Sequence, residues 1–376
     1  MQRIVILGST GSIGVQALEV IAANPGRFEV VAISAGSGNL ALLHEQAERF
    51  RVKAVGTTAD SFDCSVKTFT GAAASREIAA MECDVVINGI TGSIGLAPTL
   101  AALDAGNLVA LANKESLVAG GELVMRKGRG RIIPVDSEHS AIYQAMLAGR
   151  RDEISKLILT ASGGAFRDRE DLAGVTVDEA LNHPTWSMGP VVTINSATLV
   201  NKGLEIIEAH YLFDIPYSQI DAVIHPQSVI HSMVEYIDGS TIAQLSPPNM
   251  KGPIAYAMSH PHRTQGATRP VDWSQAHRWD FRPIDTERFP AISLARTAGE
   301  SGALATATFN AANEVAVDAF VKGVIAFTEI VPVIESVLAT GDAHGEPRDL
   351  ADVVAIEQTA RTLAAEIVAT FQRERS

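Results

Sequence analysis

A glycine-rich turn near the start of the chain constrains its fold most strongly. Residues 3–7 (RIVIL) form a strand-like run that is apolar after Arg3, and Gly8, Gly11 and Gly14 follow in a GxxGxxG pattern at the head of a helix-like segment. Glycines let a backbone approach a pyrophosphate closely, and a helix N-terminus offers unpaired N–H groups and the positive end of its dipole. A turn of this kind can also exist without a ligand. By itself it indicates, without requiring, a dinucleotide-binding domain.

The first third of the chain alternates between short apolar runs and helix-like segments. We predict strands at 3–7, 28–33, 53–56, 84–87, 108–111 and 131–134, and helices at 12–23, 40–50, 95–105 and 115–127. This alternation is typical of a mainly parallel sheet covered by helices on both faces. It favours the dinucleotide-binding interpretation of the glycine turn.

Beyond residue 137 strand-like runs follow one another more closely, and beyond residue 290 the pattern is helical. The predicted fold class is α/β, with a Rossmann-like domain (1–149), a central α+β domain (150–258), a connector (259–290) and a C-terminal helical bundle (291–376). The motifs described below make the first an NADP-binding domain and the second a catalytic domain for metal and substrate. Within these parts we predict helices at 197–210, 292–301, 309–321, 328–338 and 350–373.

The composition argues against several classes of partner. With 43 acidic and 30 basic residues the formal net charge is −13, which disfavours nucleic acid and anionic membranes as main partners. No apolar run reaches the roughly 18 residues of a membrane-spanning helix, and the first residues lack a signal-peptide pattern. Cys64 and Cys83 fit neither a disulfide framework nor a CxxC metal site. We expect a cytoplasmic protein that acts on a small molecule.

The residues after the second predicted strand bear on the choice of cofactor. NAD enzymes commonly place Asp or Glu there to bind the ribose hydroxyls. This chain has Ser-Ala-Gly-Ser-Gly-Asn at 34–39, without an acid. Small polar residues in an open loop favour the 2′-phosphate of NADP, although no Arg or Lys stands in the segment to pair with it.

Two carboxylates, Asp136 and Glu138, follow the predicted strand at 131–134. In an extended stretch residues two apart point to the same side, so both could face one divalent ion, and oxygen ligands suit Mg²⁺ or Mn²⁺. The alternative is that Asp136 or Ser137 caps the following helix. The two interpretations are compatible.

A third carboxylate lies in the helical segment after residue 200. Asn201, Lys202 and Glu205 are spaced so that their polar tips can converge on one side of a helix. Such a group would suit a metal-bound sugar phosphate. An ordinary Lys–Glu pair on a solvated face is the alternative.

Three further segments are candidates for substrate binding. Lys114 follows the strand at 108–111, at the edge where a parallel sheet opens onto a ligand crevice. Ser162 precedes two glycines and could help to cradle a phosphate, although a plain turn competes. His183 opens a Pro/Trp/Met loop ending at Gly189, which could act as a lid, although a lone His is more often structural.

Taken together, the motifs resemble the 1-deoxy-D-xylulose-5-phosphate reductoisomerase family of the methylerythritol phosphate route to isoprenoids. The matching segments are 8–14 (GSTGSIG), 112–116 (ANKES), 136–139 (DSEH), 183–189 (HPTWSMG), 196–198 (SAT), 201–205 (NKGLE), 225–233 (HPQSVIHSM) and 310–314 (NAANE). They occur in the order of the family, so the resemblance spans essentially the whole chain.

The resemblance implies a homodimer that converts 1-deoxy-D-xylulose 5-phosphate to 2-C-methyl-D-erythritol 4-phosphate with NADPH and Mn²⁺ or Mg²⁺, with Co²⁺ as a further candidate. The implied metal ligands are Asp136, Glu138 and Glu205. The implied catalytic residues are Lys114, Asp136, Glu138, Glu205 and His183. The implied substrate contacts are Lys114, Ser137, Glu138, Ser162, His183, Ser196, Asn201, Lys202 and Glu205. The implied NADPH contacts are Thr10, Gly11, Ser12, Ile13, Gly36, Asn39, Asn113, Glu115 and Gly189.

Two positions depart from the family pattern. The family often carries a basic residue after Gly36, whereas Ser37 and Gly38 stand here, with one extra residue before Asn39. Asn195 stands where an Asp is common. The first departure bears on how the 2′-phosphate of NADPH is held.

Two other functions fit parts of the sequence. A metal-independent NADP-dependent dehydrogenase would share the glycine turn but would need no group of three carboxylates, and it would keep its activity in EDTA. A non-enzymatic nucleotide-sensing module would bind NADPH without oxidising it.

Overall fold

A computed structural model of the chain describes residues 1–186, 188–341 and 343–375. Ser187, within the predicted lid, lies outside the described residues. The backbone divides into two compact units. The first unit comprises Met1–Ser116, Val124–Ser140 and Asn249–Pro270. The second unit comprises Leu117–Leu123, Ala141–Pro248 and Val271–Ser376.

The strands form two sheets. The strands are β1 (Gln2–Leu7), β2 (Phe28–Ala35), β3 (Ala54–Thr57), β4 (Lys67–Thr70), β5 (Val85–Asn88), β6 (Leu108–Leu111), β7 (Ile132–Pro134), β8 (Ile154–Ala161), β9 (Ile220–Ile224), β10 (Ile230–Tyr236), β11 (Thr241–Leu245) and β12 (Arg282–Pro283). Strands β1 to β7 belong to one sheet and β8 to β12 to the other.

The described part of the chain also forms α-helices. The α-helices are α1 (Ser12–Ala23), α2 (Leu40–Phe50), α3 (Ala74–Ala79), α4 (Leu96–Asp104), α5 (Glu115–Gly128), α6 (Ser137–Ala145), α7 (Val177–Leu181), α8 (Pro190–Ala197), α9 (Val200–Phe213), α10 (Lys251–Ser259), α11 (Ala291–Glu300), α12 (Ala303–Val321), α13 (Ile330–Thr340) and α14 (Leu350–Arg375). None of the helices in the described part of the chain is long and apolar enough to cross a bilayer.

The sheet of the first unit is wholly parallel, in the order β4-β3-β2-β1-β5-β6-β7. Residues Ile4 to Leu7 of β1 are completely buried, as expected for a central strand covered on both faces. The strand order reverses at β1, which has β2 on one side and β5 on the other. Ligands of open parallel sheets bind at such a reversal, beyond the carboxyl ends of the strands.

The sheet of the second unit is mixed, in the order β11-β10-β8-β9-β12. Strands β8 and β9 are parallel, and the other pairs are antiparallel. Helix α9 lies close against α11, where a Cβ on Gly203 would be 2.8 Å from the Cβ of Ala295. Helix α12 packs against α13 and α14, with Phe309 fully buried.

The predicted α/β fold is confirmed, with a parallel sheet of the Rossmann-like kind and a helical C-terminal region. A helix is found over most of the predicted range 197–210, but its bounds differ, because α9 runs from Val200 to Phe213. Residues before it form α8, which starts at Pro190, and a left-handed Leu199 (φ 57°) separates α8 from α9. The sequence predicted no element at β4, α3, α7 or α10. The division into domains at 149, 258 and 290 stays a prediction.

Candidate active site

The glycine turn lies at the carboxyl end of β1, where the strand order of the first sheet reverses. Gly8 has φ +78°, and the N–H groups of Gly8 and Ser9 donate to the carbonyl of Ser34 at 2.8 and 2.9 Å. A Cβ on Gly8 would lie 2.8 Å from the carbonyl oxygen of Gly89, which follows β5. The turn therefore runs close to both neighbouring strands, and a side chain at Gly8 would be excluded.

Gly14 lets α1 begin directly against this turn. A Cβ at this position would lie 2.4 Å from both the carbonyl oxygen of Gly8 and the Cα of Ser9. The N-cap of α1 is Gly11, which has no side chain to bond the first N–H groups of the helix. Backbone donors at a helix N-terminus suit a pyrophosphate, so this cradle fits a dinucleotide.

The turn borders a cleft of about 530 Å³, within the size range of small-molecule sites. Among the residues predicted to contact the cofactor, Thr10, Gly11 and Gly36 line this cleft. Ser12 and Ile13 form the first turn of α1, directly after Gly11.

The remaining residues predicted to contact the cofactor are not among those that line this cleft; they are Asn39, Asn113, Glu115 and Gly189. The Asn39 side chain accepts a hydrogen bond from the N–H of Leu42 at 3.1 Å and caps α2. Buried Asn113 donates to the carbonyls of Ile90 (2.7 Å) and Gly92 (2.8 Å) and to the carboxylate of Glu115 (2.9 Å), so it fixes the loop after β5. Gly189 belongs to the second unit and is the N-cap of α8.

Asp136 is the centre of a polar cluster in the first unit. Its carboxylate lies 3.1 Å from the ammonium of Lys114 and 3.4 Å from the Nδ1 of His139. It also accepts a hydrogen bond from the N–H of Glu138 at 3.2 Å, so it caps α6. The hydroxyl of Ser137 donates to the carboxylate of Glu138. The cluster thus combines a helix cap with two carboxylates and one mostly buried ammonium.

Helix α9 carries a second polar cluster, in the second unit. Glu205 accepts hydrogen bonds from the side chains of Asn201 and Lys202, and Lys202 also donates to the carbonyl of Thr160. The side chains of Lys202 and Glu205 are 3% and 1% exposed, so their ion pair is buried rather than a surface pair. Burying two charges is unfavourable unless each is well partnered, which makes this cluster unusual for a purely structural helix.

Two predicted substrate contacts, Ser162 and Ser196, meet around the imidazole of a third, His183, in the second unit. The Nε2 of His183 lies 2.9 Å from the Oγ of Ser162 and 3.2 Å from the Oγ of Ser196. Gly164, after Ser162, has φ +67°, and a Cβ there would lie 2.5 Å from the carbonyl oxygen of Ser196. Glycine at this position therefore allows the two serines to come together.

The hydrogen bonds of His183 define which nitrogen carries the proton. Its Nδ1 accepts from the N–H groups of Thr185 (3.1 Å) and Trp186 (2.9 Å), so the proton of the neutral ring lies on Nε2. Burial, with a smaller contribution from the guanidinium of Arg167, lowers the pKa of His183 to about 4. At neutral pH the ring is therefore an uncharged donor facing the two serine hydroxyls.

This depressed pKa predicts a pH dependence of stability. Because the folded state favours the neutral ring, the contribution of His183 is fully present above pH 6.5 and is lost as the pH falls from 6.5 towards about 4. We expect His183→Asn to remove about 1 kcal/mol of the decline in unfolding free energy between pH 6.5 and 5. Urea unfolding of both substrate-free proteins at several pH values measures the difference, and parallel profiles would contradict it.

Arg167 is a residue that the sequence did not single out. Its guanidinium donates to the carbonyl of Ser162 at 3.3 Å and adds positive charge beside the serine–histidine cluster. The available signal was a basic residue three positions after Gly163-Gly164. The direction of its side chain depends on the positive φ angles of these two glycines, which only the structure shows.

Family models match the chain in three consecutive segments. The model described as 1-deoxy-D-xylulose 5-phosphate reductoisomerase matches residues 4–121. The C-terminal domain of the same enzyme matches residues 132–213, and the DXP reductoisomerase C-terminal domain matches residues 245–363.

Individual relatives cover nearly the whole chain. The 1-deoxy-D-xylulose 5-phosphate reductoisomerase of Kitasatospora griseola is 52% identical over 97% of this chain and 100% of its own. The Zymomonas mobilis enzyme, solved in complex with NADPH, is 40% identical with a TM-score of 0.91, over 98% of this chain and 99% of its own. A DOX-P reductoisomerase solved with NADPH, fosmidomycin and magnesium is 37% identical with a TM-score of 0.91, over 98% of each chain. The chain belongs to the 1-deoxy-D-xylulose 5-phosphate reductoisomerase family.

Proposed function

We propose that the chain converts 1-deoxy-D-xylulose 5-phosphate to 2-C-methyl-D-erythritol 4-phosphate, using the nucleotide cleft, the Asp136 cluster, the α9 cluster and the serine–histidine cluster. The chain is an NADPH-dependent oxidoreductase of the family named above. The observation that carries the proposal is that the family match extends over nearly the whole chain, including the glycine cradle and all three clusters.

Asp136, Glu138 and Glu205 would hold a divalent metal ion. All three offer carboxylate oxygens, the donors that Mg²⁺ and Mn²⁺ prefer. Lys114 pairs with Asp136, and Lys202 and Asn201 donate to Glu205, so Asp136 and Glu205 have fixed directions within their own units. A bound ion would polarise the substrate carbonyl and stabilise negative charge on oxygen during the rearrangement.

Lys114 and Ser137 would contact the reacting end of the substrate. Lys114 is mostly buried, and its position is set by Asp136 at 3.1 Å. An ammonium in a site with little water stabilises developing oxyanion charge more strongly than one in bulk solvent. NADPH would supply the hydride that reduces the rearranged aldehyde.

The substrate phosphate would be bound at the opposite end by Ser162, Ser196, Asn201 and Lys202. The hydroxyls of Ser162 and Ser196 already lie within 3.2 Å of the Nε2 of His183, which would close over the phosphate as an uncharged donor. Binding energy at a remote phosphate can orient the reacting carbons.

A homodimer is our further proposal, by resemblance to the family, and the cytoplasmic location stays a prediction. Light scattering at micromolar concentration should give twice the 39.8 kDa mass of the chain. A mass of one chain under assay conditions would contradict the dimer.

The proposed reaction is tested by identifying its product. With 1-deoxy-D-xylulose 5-phosphate, NADPH and Mn²⁺, we expect one 2-C-methyl-D-erythritol 4-phosphate per NADPH oxidised, identified by NMR. Oxidation of NADPH to a different product would indicate a simple dehydrogenase. Binding of NADPH without oxidation would indicate a nucleotide-sensing module.

A further inference from the structure

The nucleotide cleft carries a positive charge where the sequence motif has none. The loop after β2 contains no basic residue between Ser34 and Asn39. Of the described residues that line the cleft, Arg76 is the charged one. We propose that Arg76 binds the 2′-phosphate of NADPH and makes the chain select NADPH over NADH, an inference that rests on cofactor binding in this cleft.

Helix α3 is held beside the end of β2, which positions Arg76. The Oγ of Ser75 lies 3.1 Å from the Oγ of Ser34, the next-to-last residue of β2. A Cβ on Gly56 of the adjacent β3 would lie 2.7 Å from the side chain of Ile78, so β3 and α3 are also in close contact. The residue after Ser75 therefore stands near the strand end that places the adenosine ribose in this fold.

The loop after β2 forms the other wall of this part of the cleft. The N–H of Ser37 donates to the Oγ1 of Thr58 at 3.0 Å, which ties the loop to the end of β3. Gly36, Thr58 and Arg76 all line the cleft. A ribose phosphate beside Gly36 would thus have small or hydroxyl-bearing residues on one side and a guanidinium on the other.

The charge of Arg76 is not neutralised by a neighbouring side chain. Arg76 is exposed, and within residues 1–186, 188–341 and 343–375 its guanidinium makes no side-chain hydrogen bond or ion pair. Guanidinium binds phosphate through two parallel hydrogen bonds, a geometry that a ribose hydroxyl pair does not offer. Because the loop also lacks the acid that binds the 2′-hydroxyl in NAD enzymes, both features favour NADPH.

A different role for Arg76 would be stacking on the adenine ring, since guanidinium groups also pack on aromatic faces. Adenine is common to NADPH and NADH, so a stacking role predicts equal losses for both cofactors. A phosphate-binding role predicts a loss for NADPH alone. The two cofactors therefore separate the roles.

The test is equilibrium binding by wild type, Arg76→Ala and Arg76→Lys, without substrate or metal. We expect Arg76→Ala to weaken NADPH and 2′,5′-ADP binding by about 10- to 100-fold, in line with a hydrogen-bonded charge pair. NADH and 5′-AMP should change by less than about 2-fold. Arg76→Lys should recover part of the loss, because it keeps the charge but not the paired donors.

Arg49→Ala is the matched control, since Arg49 is an exposed arginine of the same unit that does not line the cleft. It should leave the affinity for all four ligands unchanged. Unchanged NADPH affinity in Arg76→Ala would overturn the proposal, as would equal weakening of NADPH and NADH. Thermal melting of each variant identifies any loss that comes from unfolding.

Discussion

Replacing Glu205 with Gln is expected to lower turnover by at least about 100-fold while leaving NADPH affinity nearly unchanged. Gln keeps the size of Glu205 but removes a negative charge from the proposed metal site. The nucleotide cleft is built from residues of the first unit, whereas Glu205 lies on α9 of the second unit. The measurements are steady-state NADPH oxidation and NADPH binding by fluorescence.

The same substitution disturbs a buried ion pair, so stability must be measured alongside activity. Lys202 would keep its bond to the carbonyl of Thr160 but lose its carboxylate partner, and breaking buried pairs commonly costs about 3–5 kcal/mol. Glu335→Gln, on an exposed position of α13, is the control and should behave as wild type. A folded Glu205→Gln protein with wild-type turnover would contradict the metal assignment.

Replacing Gly14 with Ala is expected to destabilise the first unit and to weaken NADPH binding by more than about 10-fold. The new Cβ would lie 2.4 Å from the carbonyl oxygen of Gly8 and the Cα of Ser9, so α1 or the turn must move. Overpacking of this kind commonly costs about 1–3 kcal/mol, more than the roughly 1 kcal/mol that Ala gains over Gly in a helix. Thermal melting and NADPH titration measure the two effects.

Gly252→Ala provides a matched control for this prediction. Gly252 is also a helical glycine of the first unit, in α10, but a Cβ there would meet Thr268 only at 3.6 Å, an ordinary contact. This variant should melt at or above the wild-type temperature and bind NADPH normally. Normal NADPH binding in Gly14→Ala would show that the turn does not need its close approach to α1.

Local patterns were sufficient to predict much of the first unit. Helices α1 and α2 have their predicted bounds, because each has a clear apolar spacing that starts after a glycine or polar turn. β4 was not predicted because it is four residues long and largely exposed, so it lacks an apolar run. Parallel pairing with β3 is what makes it a strand.

The second unit was harder to predict because its backbone changes direction without glycine. Leu199 adopts a left-handed conformation, which L-residues with large side chains rarely do, and it divides α8 from α9. No sequence pattern distinguishes such a leucine from a helical one. The environment of His183 likewise depends on serines 21 and 13 residues away, which only the folded chain brings together.

The sequence predicted which types of residue form the sites, but not the contacts that their side chains make. The helix-cap and metal interpretations of Asp136 were both left open, and the structure shows the cap together with an ion pair to Lys114. Asn39 was assigned to NADPH, yet its side chain caps α2, so its cofactor contact stays a prediction. Arg76 was not predicted as a site residue, because it lies in an alanine-rich segment without a motif.

The central claim is that the chain needs a divalent ion, and removing the ion tests it most directly. The purified protein would be treated with EDTA, freed of chelator by gel filtration, and assayed for NADPH absorbance with 1-deoxy-D-xylulose 5-phosphate. We expect no NADPH oxidation in metal-free buffer and full recovery when Mn²⁺ or Mg²⁺ is added, while NADPH affinity stays constant throughout. Undiminished NADPH oxidation after chelation would contradict a metal-dependent reductoisomerase and would favour a metal-independent dehydrogenase.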